Sequence, residues 1–253
     1  MSGDTDLLPH SMLYARRGWP VFPLFGVRDG ACECARSQCD EPSKFGKHPR
    51  TLHGFQDAST DEEAIRRWWT MWPSSNVGIA TGDGLVVIDV DPRSGGEETL
   101  EALSAGHVFP RTPTVYTGGG GLHLYFSGQV EHGGTGILGP GLDVKAVGGY
   151  VVAPPSLHGS GERYAWLVLD DDAPPLPRWL RPPSRVVPKQ AGSSPLSDGR
   201  MSSAYVEAAL AQEVAAVRTA PIGSRNDQLN RSAYALFRLV NDEQAARRVG
   251  DAL

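Results

Sequence analysis

The sequence predicts an α+β fold built on a mixed or antiparallel sheet, followed by a small helical module. Short apolar or alternating segments bounded by glycine and proline dominate the middle of the chain, the pattern of strands. Helical periodicity falls between them only at irregular intervals, unlike the strict alternation that accompanies a parallel sheet. From Arg181 to about Ser203 the chain turns rich in proline, serine and glycine, and beyond it only helical periodicity is found.

A short helical pattern around Leu13 leads into Trp19-Pro20-Val21-Phe22-Pro23-Leu24, which reads as an early strand. After a long polar insertion, Thr60 and Glu63 form a capping box. Ile65, Trp68, Trp69 and Trp72 then recur at helical spacing until Pro73, a face packed into the core. Strands are expected at about Val77 to Thr81 and Leu85 to Val90, joined as a hairpin by Gly82-Asp83-Gly84. A helix burying Leu100 and Leu103 precedes strands near Thr114 to Thr117, Leu122 to Ser127, Tyr150 to Ala153 and Tyr164 to Val168. The expected organisation is a domain over 1–180 with an insertion at about 30–50, a linker over 181–203 and a helical module over 204–253. In that module Ala204 to Thr219 and Asp227 to Val240 are the helices, separated by Pro221-Ile222-Gly223-Ser224. Because Asp242 to Leu253 still has helical character, the chain is expected to be the front of a longer protein.

Composition narrows the function. A net charge of −5 argues against a protein that grips nucleic acid over its whole surface. No apolar run approaches the roughly 18 residues of a membrane span, and the acidic start Met1-Ser2-Gly3-Asp4-Thr5-Asp6 is unlike a secretory signal. A cytoplasmic protein without a membrane partner is expected. The three cysteines, Cys32, Cys34 and Cys39, are too few and too close for a disulfide framework and point to metal.

Three segments put polar groups into strand-like runs. In Val87-Ile88-Asp89-Val90-Asp91-Pro92, alternation places Asp89 and Asp91 on one face, and the apolar run before them is that of a central strand. Two like charges there call for a cation, and hard oxygen ligands select Mg2+ or Mn2+. In the second segment, glycines at 118–121 precede His123. A backbone without Cβ atoms at Gly120 and Gly121, with the His123 imidazole, suits the triphosphate of a nucleotide. In the third, Asp143 and Lys145 share a strand face, either as a cross-strand ion pair or as a third metal carboxylate with a phosphate-binding lysine. Ser156, after Ala153-Pro154-Pro155, is read either as lining the nucleotide pocket or as plain turn chemistry.

Cys32, Cys34, Cys39 and His48 supply three thiolates and an imidazole, enough for a closed structural Zn2+ site, with His53 in reserve. Arg36, Lys44, Lys47 and Arg50 nearby form only a modest basic patch, because Glu33, Asp40 and Glu41 offset them. Gly46-Lys47-His48-Pro49 is not a phosphate-binding Walker A loop, which would need Ser or Thr after the lysine.

In order and spacing these residues resemble the bifunctional DNA primase/polymerase (Prim-Pol) domain of the archaeo-eukaryotic primase superfamily, of the phage and plasmid replication type. Asp89 with Asp91, Gly121-Leu122-His123 and Leu142-Asp143 match the family's three motifs, and the resemblance covers about Leu13 to Trp179. It implies a catalytic core with an RNA-recognition-motif-like or ferredoxin-like sheet joined to an N-terminal αβ unit. It also implies a DNA primase and DNA polymerase acting on a single-stranded DNA template with deoxynucleoside or ribonucleoside triphosphates. Asp89, Asp91 and Asp143 would hold two divalent ions, and His123 would bind the triphosphate. The Cys32 to His48 segment looks like the zinc-bearing insertion of some members. Residues 223–231 are similar to the helical region that follows the catalytic domain in phage primases. A helicase domain beyond the C-terminus or in trans is therefore expected, in the cytoplasm of a host cell if a phage encodes the chain. Two rival readings of the same residues are a metal-dependent nuclease and a non-catalytic, zinc-containing nucleic-acid-binding module.

Overall fold

Residues 6–34, 39–169, 172–183, 203–219 and 232 are described by a computed structural model of the chain. Helix α1 (Leu8–Arg16) begins with proline in its first turn, where a missing N–H costs nothing. Strand β1 (Val21–Leu24) follows, and β2 (Val27–Arg28) and β3 (Ala31–Cys32) form a small hairpin. Its turn residues Asp29 and Gly30 both take positive φ, as a tight hairpin turn requires. Helix α2 (Glu62–Met71) is capped by Asp61, whose carboxylate accepts the Ala64 N–H at 2.7 Å. The helix therefore starts one residue later than the Thr60 expected from the sequence, and with Ala64 at the third helical position Asp61 is a simple N-cap, not a capping box. Ile65 and Trp69 are the residues this helix buries.

The remaining elements are β4 (Asn76–Ala80), β5 (Leu85–Val90), α3 (Gly96–Ser104), β6 (Thr114–Tyr116), β7 (Leu122–Ser127), β8 (Leu142–Lys145), β9 (Tyr150–Ala153) and β10 (Ala165–Val168). They form a three-stranded sheet in the order β1-β4-β9 and a five-stranded sheet in the order β10-β6-β7-β5-β8. Every pairing within them is antiparallel.

This arrangement corrects the expected β4–β5 hairpin. Gly82 and Leu85 do exchange both backbone hydrogen bonds, at 2.8 and 2.9 Å, so the turn is tight. The strands it joins nevertheless enter different sheets. Val77 and Ile79 on one side and Val86, Val87 and Ile88 on the other are fully buried, so each strand needs its own neighbours and cover on both faces.

Alternation along the larger sheet divides the core in two. Leu85, Val87, Val115 and Tyr125 face the smaller sheet and the helices α1 and α2. Trp19 stacks on Tyr125 there with ring centroids 5.1 Å apart. On the opposite face Val86, Ile88, Leu124, Phe126 and Val144 pack with Leu100 and Leu103 of α3, as their spacing predicts. The result is the α+β architecture expected from the sequence, with antiparallel sheets and few helices.

The chain divides into two compact units, Met1–Arg185 and Val186–Leu253. Helix α4 (Ser203–Thr219) belongs to the second. Most of the expected linker, at 184–202, and the helical expectations for 227–240 and 242–253 lie outside the described residues, apart from Ser232. Among the described residues no helix is long and apolar enough to cross a membrane.

Candidate active site

The pleat of β5 that buries Leu85 and Val87 brings Asp89 up on the same face, at the end of the layer between the sheets. Register does the rest. Asp89 lies directly opposite His123 of β7 on one side and Asp143 of β8 on the other. Three functional groups thus stand in one row across adjacent strands. His123 Nε2 is 3.8 Å from Asp89 Oδ1. Lys145, on the same face of β8, places Nζ 3.0 Å from Asp143 and 3.6 Å from Asp89. The ammonium bridges two carboxylates that would otherwise repel. The second oxygen of Asp143 accepts the Gly136 N–H at 2.9 Å.

Asp91 lies just beyond β5 with an extended backbone, and its main chain is clamped. Its N–H donates to the Gly141 carbonyl at 2.8 Å, and its carbonyl accepts the Gly96 N–H at 3.0 Å. Gly141 has φ of +71°, and a Cβ on it would meet the Gly96 nitrogen at 2.3 Å, so no other residue fits there. The Asp91 carboxylate accepts from both the backbone and the Nε of Arg93, at 3.0 and 3.1 Å. That guanidinium holds the Asp91 carboxyl below its usual range.

Asp89, Asp91, His123 and Asp143 all line one cleft of about 220 Å³. Gly119 and Gly121 of the glycine turn also reach it. Gly121 touches the neighbouring strand so closely that a Cβ would lie 2.3 Å from the Val90 carbonyl oxygen. Three expected nucleotide contacts, Lys145, Gly120 and Ser156, are not among the lining residues, Lys145 being paired with Asp143 and Asp89. Gly120 is at the tip of the turn, its N–H bonded to the Thr117 carbonyl at 2.9 Å, and is not among the lining residues. Ser156 is wholly buried, its hydroxyl accepting the Val77 N–H at 2.9 Å, so its hydrogen bond ties the smaller sheet together.

The cleft also contains residues that the sequence reading passed over. Arg93, His158 and Tyr164 line it, as does Lys47, noted only as part of a modest basic patch. No local motif marks Arg93 or His158. His158 accepts the Ser160 N–H at Nδ1, 3.1 Å away, and the Ser160 hydroxyl donates to the Gly118 carbonyl at 2.7 Å, pinning the glycine turn. Burial, then the charges of Lys47 and Arg93, push the His158 pKa down to about 4. Burial likewise lowers the pKa of His123, with Asp89 opposing it, so the imidazole is neutral near pH 7. The Lys47 ammonium is disfavoured first by burial, while Asp89 pulls the other way.

These groups suit a polyphosphate and a hard cation. Asp89 and Asp143 are the carboxylates with which a divalent ion would replace the Lys145 ammonium. Asp91 is held by Arg93, and the three aspartates do not gather within 4.8 Å of one another. A second centre is tighter. Cys32, Cys34, Cys39 and His48 bring their ligand atoms within 4.8 Å of one another, the one such group among the described residues. His48 Nδ1 is 3.5 Å from Cys39 Sγ and 3.7 Å from Cys32 Sγ. Three sulfurs and an imidazole match a closed tetrahedral zinc site. The unusual sequence spacing is accommodated because the β2–β3 hairpin delivers Cys32 and the later segment returns with His48. Arg36, expected nearby, lies outside the described residues.

Residues 11–179 match the family model of the bifunctional DNA primase/polymerase N-terminal domain, Prim-Pol. The chain belongs to the bifunctional DNA primase/polymerase family. No curated protein matches the sequence. The Prim-Pol match takes in both sheets, the cleft and the cysteine knot, and ends before α4. Membership of the Prim-Pol family implies a nucleotidyltransferase with DNA and nucleotides as substrates.

Proposed function

We propose that this Prim-Pol chain synthesises and extends primers on single-stranded DNA, in phage or plasmid replication, by template-directed nucleotidyl transfer. The observation that carries the reading is the cross-strand row Asp143–Asp89–His123, set in a cleft with cationic side chains on its walls. A primer 3′-hydroxyl attacks the α-phosphorus of a nucleoside triphosphate. One P–O bond forms, the hydroxyl proton passes to solvent, and the bond to pyrophosphate breaks.

Asp89 and Asp143, joined by Asp91 once its carboxylate leaves Arg93, would hold two divalent ions. Bound there, Mg2+ or Mn2+ supplies activation of the hydroxyl and charge neutralisation at the leaving oxygens. His123, neutral and buried, would donate from Nε2 to a phosphate oxygen without a charge that Asp89 would hold back. Lys145 and Arg93, released from carboxylates as ions bind, would turn to the same phosphates. The backbone at Gly119 and Gly121 lets the triphosphate approach closely. The Cys32–Cys34–Cys39–His48 knot would hold structural zinc, and a helicase domain beyond the C-terminus or in trans would open duplex ahead of the site. Such a chain would work in the cytoplasm, that of the host if a phage encodes it.

Incubation with primed single-stranded DNA, labelled triphosphates and Mg2+ or Mn2+ tests the chemistry. Pyrophosphate is expected in step with nucleotide incorporated. DNA shortened without any triphosphate requirement would instead identify a nuclease.

A further inference from the structure

The cysteine knot and the catalytic cleft meet at two consecutive residues. The His48 ring points at the thiols, and Lys47 lines the cleft beside Asp89, Asp91 and Arg93. The peptide joining them is fixed on both sides. The Lys47 carbonyl accepts the Tyr150 hydroxyl at 2.9 Å, and the Gly46 carbonyl accepts the Asn76 side-chain amide at 2.9 Å. The His48 carbonyl accepts the Phe25 N–H at 2.8 Å. Gly46 has φ of +74°, and a Cβ there would meet Asn76 Nδ2 at 2.5 Å, so the segment lies tight against β4.

The knot is bolted to the body from its other end as well. Glu33, between Cys32 and Cys34, meets Arg28 at 2.8 Å and Arg50 at 3.5 Å and accepts the Ser74 hydroxyl at 3.3 Å. Lys44 is paired with Glu41 at 2.9 Å. Among the described residues, Arg28, Lys44 and Arg50 are thus neutralised by the module's own carboxylates, which leaves them little for gripping DNA. Lys47 differs. It is half-buried, faces Asp89 and Asp91 across the cleft, and makes no ion pair within 4 Å with any described carboxylate, which leaves its ammonium available to an anion entering the cleft.

We propose that the Cys32–Cys34–Cys39–His48 knot is a positioning device for the nucleotide site: by fixing His48 it holds Lys47 in the cleft, where the ammonium binds the triphosphate of the incoming nucleotide. A lysine serves such a group as a point charge on several phosphate oxygens. The assignment rests on the reading of the cleft as a nucleotide site and makes the metal module part of that site.

The test is calorimetric titration of the full chain with deoxyadenosine triphosphate and with the monophosphate, beside measured zinc content, thermal melting and single-stranded DNA affinity. Wild type should carry zinc and prefer the triphosphate. Lys47→Ala should keep its zinc, melting and DNA affinity but lose triphosphate affinity roughly ten- to hundredfold, with the monophosphate little changed. Lys47→Arg should retain most of the binding. Removing zinc by chelation, or by Cys39→Ser, should give a similar loss, and Lys47→Ala should add little to it. Triphosphate affinity unchanged in Lys47→Ala would overturn the assignment. So would a zinc-free chain that keeps triphosphate affinity and loses DNA alone, or a wild type without zinc. A wild type that shows no preference for triphosphate over monophosphate would instead bring down the nucleotidyl-transfer reading itself, and this assignment with it.

Discussion

Asp89, His123 and Asp143 were legible because each sits in a short strand whose alternation fixes its face, and antiparallel register turns three separate motifs into one row. Arg93, Lys47 and His158 were not, because what brings them to the cleft is long-range: a turn after β5, the return of the metal-binding segment, and the loop after β9. Ser156, which the sequence left open between the nucleotide pocket and turn chemistry, has its hydroxyl in the smaller sheet, where it accepts the Val77 N–H. His158 also yields a pH prediction. Its folded pKa of about 4 lies below the ordinary value of 6.5, so on acidification the unfolded chain takes up a proton before the folded chain does. The stabilisation is complete above about pH 6.5 and is lost as the pH falls toward about 4. Burial of neutral His123 acts in the same direction. Urea midpoints should fall from pH 7 to pH 5, and by less in His158→Gln; an equal fall in both proteins would remove His158 from this account.

At the scale of elements, most strands and helices could be read from local pattern, whereas partnership could not. Gly82-Asp83-Gly84 has the chemistry of a hairpin turn and makes the bonds of one, yet it passes the chain from one sheet to the other. Turn residues specify a local bend; the burial demanded by both flanking strands decides where each goes. The same holds for the knot, whose ligand types were plain while the spacing concealed how a hairpin closes it. The glycine clamp on Asp91 is the element-scale prediction. Gly141→Ala adds a Cβ at 2.3 Å from the Gly96 nitrogen in a left-handed conformation. It should cost about 1–3 kcal/mol in urea unfolding and depress nucleotide incorporation further than that stability loss explains. Wild-type activity in a folded Gly141→Ala chain would show that the position of Asp91 is not critical.

For the whole molecule, the family match and the sheet architecture agree over the same span, 11–179. The chain nevertheless carries a net charge of −5. Template binding must then depend on local cations against an unfavourable overall field, so single-stranded DNA affinity should be weak and fall steeply with salt. Fluorescence anisotropy at 50 and 200 mM salt reads this, and tight, salt-insensitive binding would contradict it. The most direct measurement of the central claim is strand synthesis on single-stranded DNA with triphosphates and Mg2+ or Mn2+, with and without a primer, comparing wild type with Asp89→Asn. The account predicts new strands from wild type in both reactions, initiation slower than extension, and a loss of at least about a hundredfold in Asp89→Asn with an unchanged fold. Synthesis undiminished in Asp89→Asn, or none from wild type under any of these conditions, would contradict it.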